Sequence, residues 1–195
     1  LRETNRNLMG RPEYFPLGWL SSIQIGHTLR DLGSTQDAWL YALSAQRGFE
    51  PAADQTLLLA AGASGQYFDG EERRLRMGVD ARWYVPQSPR RLFYAAGSMQ
   101  WLNRPDPADA LRLGGEDGLR GFPLRYRHGT RRALVTLEQR FYSDVYLWRL
   151  FRFGGAAFFD AGRAWGGERS DVGRNGWLSN AGAGLRIVST RSGFR

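Results

Sequence analysis

A strict two-residue alternation constrains this chain more than any other feature. Over residues 74–85, Leu75, Met77, Val79, Ala81, Trp83 and Val85 fall on one side, and Arg74, Arg76, Gly78, Asp80 and Arg82 on the other. An extended strand, whose side chains project to opposite faces in turn, is the conformation that segregates such a pattern. The pattern recurs three times. Ala133, Val135, Leu137 and Phe141 oppose Arg132, Thr136, Glu138 and Arg140. Phe151, Phe153, Ala157, Phe159 and Ala161 oppose Arg152, Gly154, Ala156, Phe158 and Asp160, and Ala181, Ala183, Leu185 and Ile187 oppose Asn180, Gly182, Gly184 and Arg186. Weaker alternation over 17–30, 37–49, 55–68 and 92–102 raises the expectation to eight strands. Leu32-Gly33-Ser34, Glu50-Pro51, Asp69-Gly70, Pro86-Gln87-Ser88-Pro89 and Ser143-Asp144 are short turn signals, which predict antiparallel hairpins. No stretch competes as a helix.

The second face decides between all-β architectures. A soluble sandwich alternates too, but it turns its polar face to bulk water. Here that face mixes Gly, Ala, Ser and Thr with Arg, Asp and Glu, as a crowded aqueous lumen with room for an inserted element would require. The apolar face is almost free of charge. Trp19, Trp39, Trp83, Trp101, Trp165 and Trp177 fall near the predicted strand ends, the level of an aromatic belt in a membrane barrel and of the rim in a sandwich. The uncharged run 55–68 is shorter than the ~18 to 20 residues of a spanning helix. A barrel strand needs only ~9 to 11.

Composition removes several chemistries. With no cysteine there is no disulfide, thiolate metal site or cysteine nucleophile. The net charge of +8 comes from arginine alone, since lysine is absent, and the arginines are scattered with short doublets (Arg73-Arg74, Arg90-Arg91, Arg131-Arg132). A nucleic-acid-binding face concentrates its cations, so no nucleic-acid partner is expected. Glu116 and Asp117 near His128 suggest acid/base or metal chemistry on paper, but without HxxxH or HxH spacing they read as solvated loop groups. With no GxSxG elbow and no GxxxxGK[ST] loop, no catalytic residue, metal or cofactor is expected.

One connection breaks the hairpin rule. Between the strand ending near Leu102 and the one starting near Thr130 lies a long loop containing Leu111-Arg112-Leu113-Gly114-Gly115-Glu116-Asp117-Gly118-Leu119-Arg120-Gly121-Phe122-Pro123. Loops of this length in compact domains usually carry function. Gly114 and Gly115 are candidate hinges for it. An Arg in a confined space must find an acceptor, and Asp160, on the polar face, is a carboxylate that a planar guanidinium can engage through two hydrogen bonds. Gly121 would allow positive φ or close approach at the tip, and Phe122 would pack on wall residues such as Phe158.

The Arg-Gly-Phe string after Gly-Gly, its long loop, and the later strand Gly154-Gly155-Ala156-Ala157-Phe158-Phe159-Asp160-Ala161-Gly162 together resemble the bacterial surface antigen superfamily of outer-membrane barrels. That group comprises BamA-type assembly factors, two-partner-secretion transporters and patatin-type autotransporters. The resemblance spans residues 111–187; upstream only the strand pattern agrees. It implies a loop folded back into the pore, with Arg120, Gly121 and Phe122 at its tip docked on Asp160. It also implies that residues 1–195 are a C-terminal transmembrane antiparallel β-barrel domain, about eight strands of sixteen with the final strands missing. The start Leu1-Arg2-Glu3-Thr4-Asn5-Arg6 has no secretory signal, so the chain is expected to begin within a longer protein.

The implied function is non-enzymatic: translocating a secreted polypeptide across the bacterial outer membrane, or inserting barrel proteins into it. The partners are outer-membrane lipid, a secreted or inserting polypeptide, and a second copy in a homo-oligomer. Two alternatives stay open: a soluble all-β binding module, and a membrane anchor for an upstream enzyme domain.

Overall fold

The computed structural model describes residues 1–7, 9–106, 108–148, 150–167 and 176–189. The chain is all-β. Two short strands, β1 (Arg2–Thr4) and β2 (Pro12–Tyr14), pair as a hairpin. Five long strands follow: β3 (Gly18–Thr28), β4 (Ala38–Phe49), β5 (Thr56–Phe68), β6 (Glu71–Ser88) and β7 (Arg91–Asn103). A second small hairpin, β8 (Leu111–Leu113) with β9 (Arg127–Gly129), brackets the long loop. Three more long strands complete the order: β10 (Arg131–Leu147), β11 (Phe151–Trp165) and β12 (Leu178–Ser189). Among the described residues no helix is long and apolar enough to cross a membrane, which says nothing of a crossing by strands.

All eight expected strands form, and they join one antiparallel sheet in the order β3-β4-β5-β6-β7-β10-β11-β12. The register is heavily staggered. The row that starts at Gly18, the first residue of β3, passes through Gly48, Leu58, Arg82, Ala96, Thr136 and Asp160 to Asn180. Among the described residues, β3 and β12 each have one strand neighbour.

Two turn expectations need correction. Ser143 and Asp144 lie inside β10, where the register with β11 shifts between Tyr142 and Tyr146. The Ser143 hydroxyl donates to the Phe153 carbonyl at 2.9 Å, stabilising the irregularity without reversing the chain. The reversal comes later, with Trp148 at φ 50° and Leu150 N–H donating to Leu147 O. Pro86, Gln87 and Ser88 likewise stay in β6, and β7 begins after Pro89 and Arg90. Pro86 is tolerated because β5 pairs with β6 only as far as Tyr84, so no second strand needs its missing N–H. Asp69-Gly70 forms the expected two-residue turn, with φ 53° and 77°.

The two faces are buried in the opposite sense to a soluble sandwich. On β10, Val135 and Leu137 are 40% and 37% exposed, whereas Glu138 and Arg140 are each 5% exposed. The polar face is covered in part by two inserted segments, while the Asp80 and Arg82 side chains of β6 stay exposed on it. At one end β1, β2 and their flanks lie across it: Phe15 packs with Tyr84 and Leu92, and Met9 sits against the backbone of Gly154. At the other end the long loop lies across it, with Leu113 and Leu119 packed on Ala164, Leu134 and Leu178. The apolar face stays open, and Ile23, Val79, Met99, Phe159 and Leu185 are exposed on it.

Candidate functional site

Between the two inserted segments lies a charged cluster assembled from the long loop and the covered faces of β10, β11 and β12. Alternation places its wall. Thr136, Asp160 and Asn180 are directly paired across the three strands, and Glu138 and Arg140 follow Thr136 on the same face of β10. Arg186 comes from β12. Asp160 is 1% exposed.

The loop tip is held by its own backbone. Gly114 N–H donates to Gly118 O at 2.9 Å, Gly115 N–H to Leu119 O at 3.2 Å, and Phe122 N–H to Leu119 O at 2.9 Å. Gly114 has φ 122° and passes against Pro123 O and Tyr126, and Gly115 has φ 58° against Leu124. Neither position accommodates a side chain. This fold aims Arg120 into the cluster.

Arg120 engages Asp160 through two parallel hydrogen bonds, Nε to Oδ2 at 2.9 Å and Nη2 to Oδ1 at 2.8 Å. Its backbone N–H adds a third to Oδ2 at 3.3 Å. Its remaining nitrogen, Nη1, donates to Glu138 Oε1 at 2.6 Å. Asp160 also accepts from Thr136 Oγ1 at 3.0 Å and Asn180 Nδ2 at 3.4 Å. Glu138 Oε2 accepts from Arg140 Nε at 2.6 Å and Arg186 Nη2 at 3.2 Å. Three guanidinium groups thus share two buried carboxylates. Hydrogen bonding to Asp160 is the largest influence on Arg120, raising its pKa above the ordinary value against the opposing effect of burial. Arg120 stays charged at any accessible pH.

The structure therefore brings Arg120 and Asp160 together as the sequence suggests, and refines the roles around them. Gly121 is needed for close approach rather than positive φ: a Cβ there would lie 3.0 Å from Asn180 Cβ, while the left-handed positions are Gly118 and Leu119. Phe122 pairs with Tyr126, centroids 5.1 Å apart, and joins the Leu113–Leu119 cluster. The ring of Phe158 is instead covered by the Arg120 guanidinium, 3.7 Å from its centroid. Among the described residues Glu116, Asp117 and His128 do not gather into a group of three that could hold a metal.

Sequence reasoning missed Glu138, Arg140 and Arg186 as partners, although alternation puts each on the correct face. It also missed the N-terminal segment, whose three-residue strands carry no readable period. That segment reaches the same cluster. Arg140 Nη1 donates to the Arg6 carbonyl, and Arg6, 2% exposed, donates to Glu3 Oε2 at 2.9 Å and to Asp54 O at 2.6 Å. Tyr84 donates to Asn7 Oδ1 at 3.1 Å. The arrangement can hold two inserted segments against one polar wall. Comparison with family profiles, curated proteins and solved structures finds no match to this chain.

Proposed function

We propose that the chain is part of a bacterial outer-membrane β-barrel that translocates polypeptide or inserts barrel proteins, with the loop bearing Arg120, Gly121 and Phe122 latched inside the lumen on Asp160. The observation that carries the reading is the inversion of the sheet at β10 and β11: Glu138, Arg140 and Asp160 are buried on one face while Val135, Leu137 and Phe159 are exposed on the other. Water gives no reason for that arrangement, since soluble proteins rarely expose a contiguous apolar patch beyond about a few hundred Å². Lipid does, because barrel exteriors are apolar and their interiors polar. The stagger of the register supports the same reading, since closing a sheet into a barrel requires tilted, sheared strands. The unpaired edges of β3 and β12 would then be completed by further strands or by a second copy. In this reading the latch sets loop position more than stability, because desolvation offsets much of the Coulomb gain.

Fractionation and complementation test the proposal. The protein should partition with outer membranes and require detergent for extraction, and Arg120→Ala should insert normally yet lose translocation or insertion activity. Extraction by salt alone overturns the barrel, and full activity of Arg120→Ala overturns the latch.

A second reading, a soluble all-β binding module, is favoured by one observation. The open face carries a depression of about 1000 Å³ lined by Trp19, Leu59, Val79, Met99, Val135 and Trp165, which an apolar ligand would fit. A monomer soluble without detergent that takes up a fatty acid would favour this reading. An anchor role for an upstream enzyme domain would show the same membrane partition without transport activity.

A further inference from the structure

On the open face, charge occurs only toward the strand ends. Through the paired rows that share a face with Val79 and Val135, charged residues are Arg47 and Arg91 at one end of the sheet and Arg131, Arg163 and Glu72 at the loop-bearing end. Glu72 is occupied by a hydrogen bond from the Tyr41 hydroxyl. Arg131 and Arg163 have no such partner: among the described residues no carboxylate forms an ion pair with either.

The surroundings of these two arginines are specific. Arg131 is paired directly with Trp101 on β7 and with Trp165 on β11, so one arginine and two tryptophans share a row on one face of three adjacent strands. Arg163, opposite Ala133, lies over the Trp165 ring, 5.1 Å from its centroid. Its Nε is buried and has no hydrogen-bond partner among the described residues. Trp177 lines the same depression as Arg163 and Trp165. The Trp165 indole holds Arg163 at the boundary of an apolar surface with Arg131 one strand away, and among the described residues no carboxylate competes for their donors.

We infer that Arg131 and Arg163, flanked by Trp101, Trp165 and Trp177, form a binding site for the phosphate of an anionic lipid headgroup at the loop-bearing end of the barrel. This rests on the membrane reading and adds a ligand to it. Guanidinium groups bind phosphate through paired N–H donors, and cations beside a bilayer draw anionic lipid. The indoles lie at headgroup depth, beside the acyl chains of the same lipid.

The test is to reconstitute the protein in vesicles of equal phosphatidylglycerol and phosphatidylcholine, extract it in mild detergent, and count the lipids it retains by intact-protein mass spectrometry. We expect phosphatidylglycerol enriched about tenfold, equivalent to about 1.4 kcal/mol. Arg131→Gln/Arg163→Gln should bring the ratio near parity, and Arg131→Lys/Arg163→Lys should keep most of it. Retention of both lipids without enrichment, or enrichment untouched by the double glutamine variant, overturns the site. Enrichment erased by inorganic phosphate at matched ionic strength assigns the site to a free anion and overturns the lipid. If the protein stays in the aqueous phase with no lipid of either kind, the barrel reading fails, and this inference fails with it.

Discussion

Asp160 and Glu138 are both buried and both depend on Arg120, but unequally. Glu138 keeps Arg140 and Arg186 when the Arg120 side chain is removed, whereas Asp160 is left with neutral donors alone: Thr136, Asn180 and the backbone N–H of position 120. Arg120→Ala should therefore destabilise mainly through Asp160. Stranding a buried charge costs about 3 to 5 kcal/mol, and we expect about 1 to 3 here because the Arg120 side chain is 37% exposed and partly screened. Asp160→Asn in the same background should recover part of that loss. Unfolding midpoints of the two single variants and the double should give a coupling of about 1 to 2 kcal/mol, and additivity within about 0.5 would reduce the latch to a surface contact. The contribution should be flat through neutral pH. A raised arginine pKa means that stability is present below the ordinary value and lost only as pH climbs through the raised one. The Arg120–Asp160 pair was readable because alternation assigns the face of Asp160 and the loop motif supplies its partner. Glu138 carried no such label, because which wall residue a loop meets depends on how deep it descends. Phe158 was given the wrong neighbour for a similar reason. Its ring fills space left by Gly182, where a Cβ would come within 2.6 Å of it, and no periodicity shows that an absent side chain turns a ring under a guanidinium.

Long strands were legible and short or irregular ones were not, because a period needs several repeats before it rises above chance. β10 illustrates both outcomes. Its alternation reads clearly from Ala133 to Phe141, then the shift between Tyr142 and Tyr146 hides the continuation, and polar Ser143-Asp144 mimics a turn. In β6, Arg74 at φ 52° coincides with an extra residue opposite β5, so the face pattern begins only at Leu75. The long loop is held differently, by glycines whose conformations side chains rarely adopt. Gly114 is the sharpest case, at φ 122° with Pro123 O and Tyr126 against the space a Cβ would fill. Gly114→Val should cost about 1 to 3 kcal/mol locally and unseat the loop while leaving the eight-stranded sheet paired. Hydrogen exchange reads this directly: amides of Gly115 and Phe122 should lose protection while those of β10 and β11 keep it. Loss of protection across the whole sheet would mean that the loop is part of the folding core rather than an inserted latch.

For the whole molecule the question is which solvent the open face meets, and charge insertion answers it. Val135 sits near the middle of the part of β10, Arg131 to Phe141, that is paired on both sides, 40% exposed, with Gly97 and Ala161 directly beside it on the neighbouring strands. In water, a substitution at such an exposed position away from any partner changes stability by no more than about 0.5 kcal/mol, and a long arginine can lie along the apolar surface with its head hydrated. At the midplane of a bilayer the same arginine costs about 2 to 4 kcal/mol. Val135→Arg therefore separates the two readings by more than the error of an unfolding measurement. We expect the variant, refolded into lipid vesicles, to lose that larger amount, while Arg131→Lys at the end of the same strand loses almost nothing. The dependence on depth is what matters. A soluble sheet with an apolar ligand in its depression would be insensitive to where along β10 the charge is placed, once ligand is absent. A barrel wall makes the penalty fall away from Val135 toward either strand end, and a series through Ala133, Val135 and Leu137 should trace that profile. A flat series with losses below about 0.5 kcal/mol would exclude lipid as the solvent of this face.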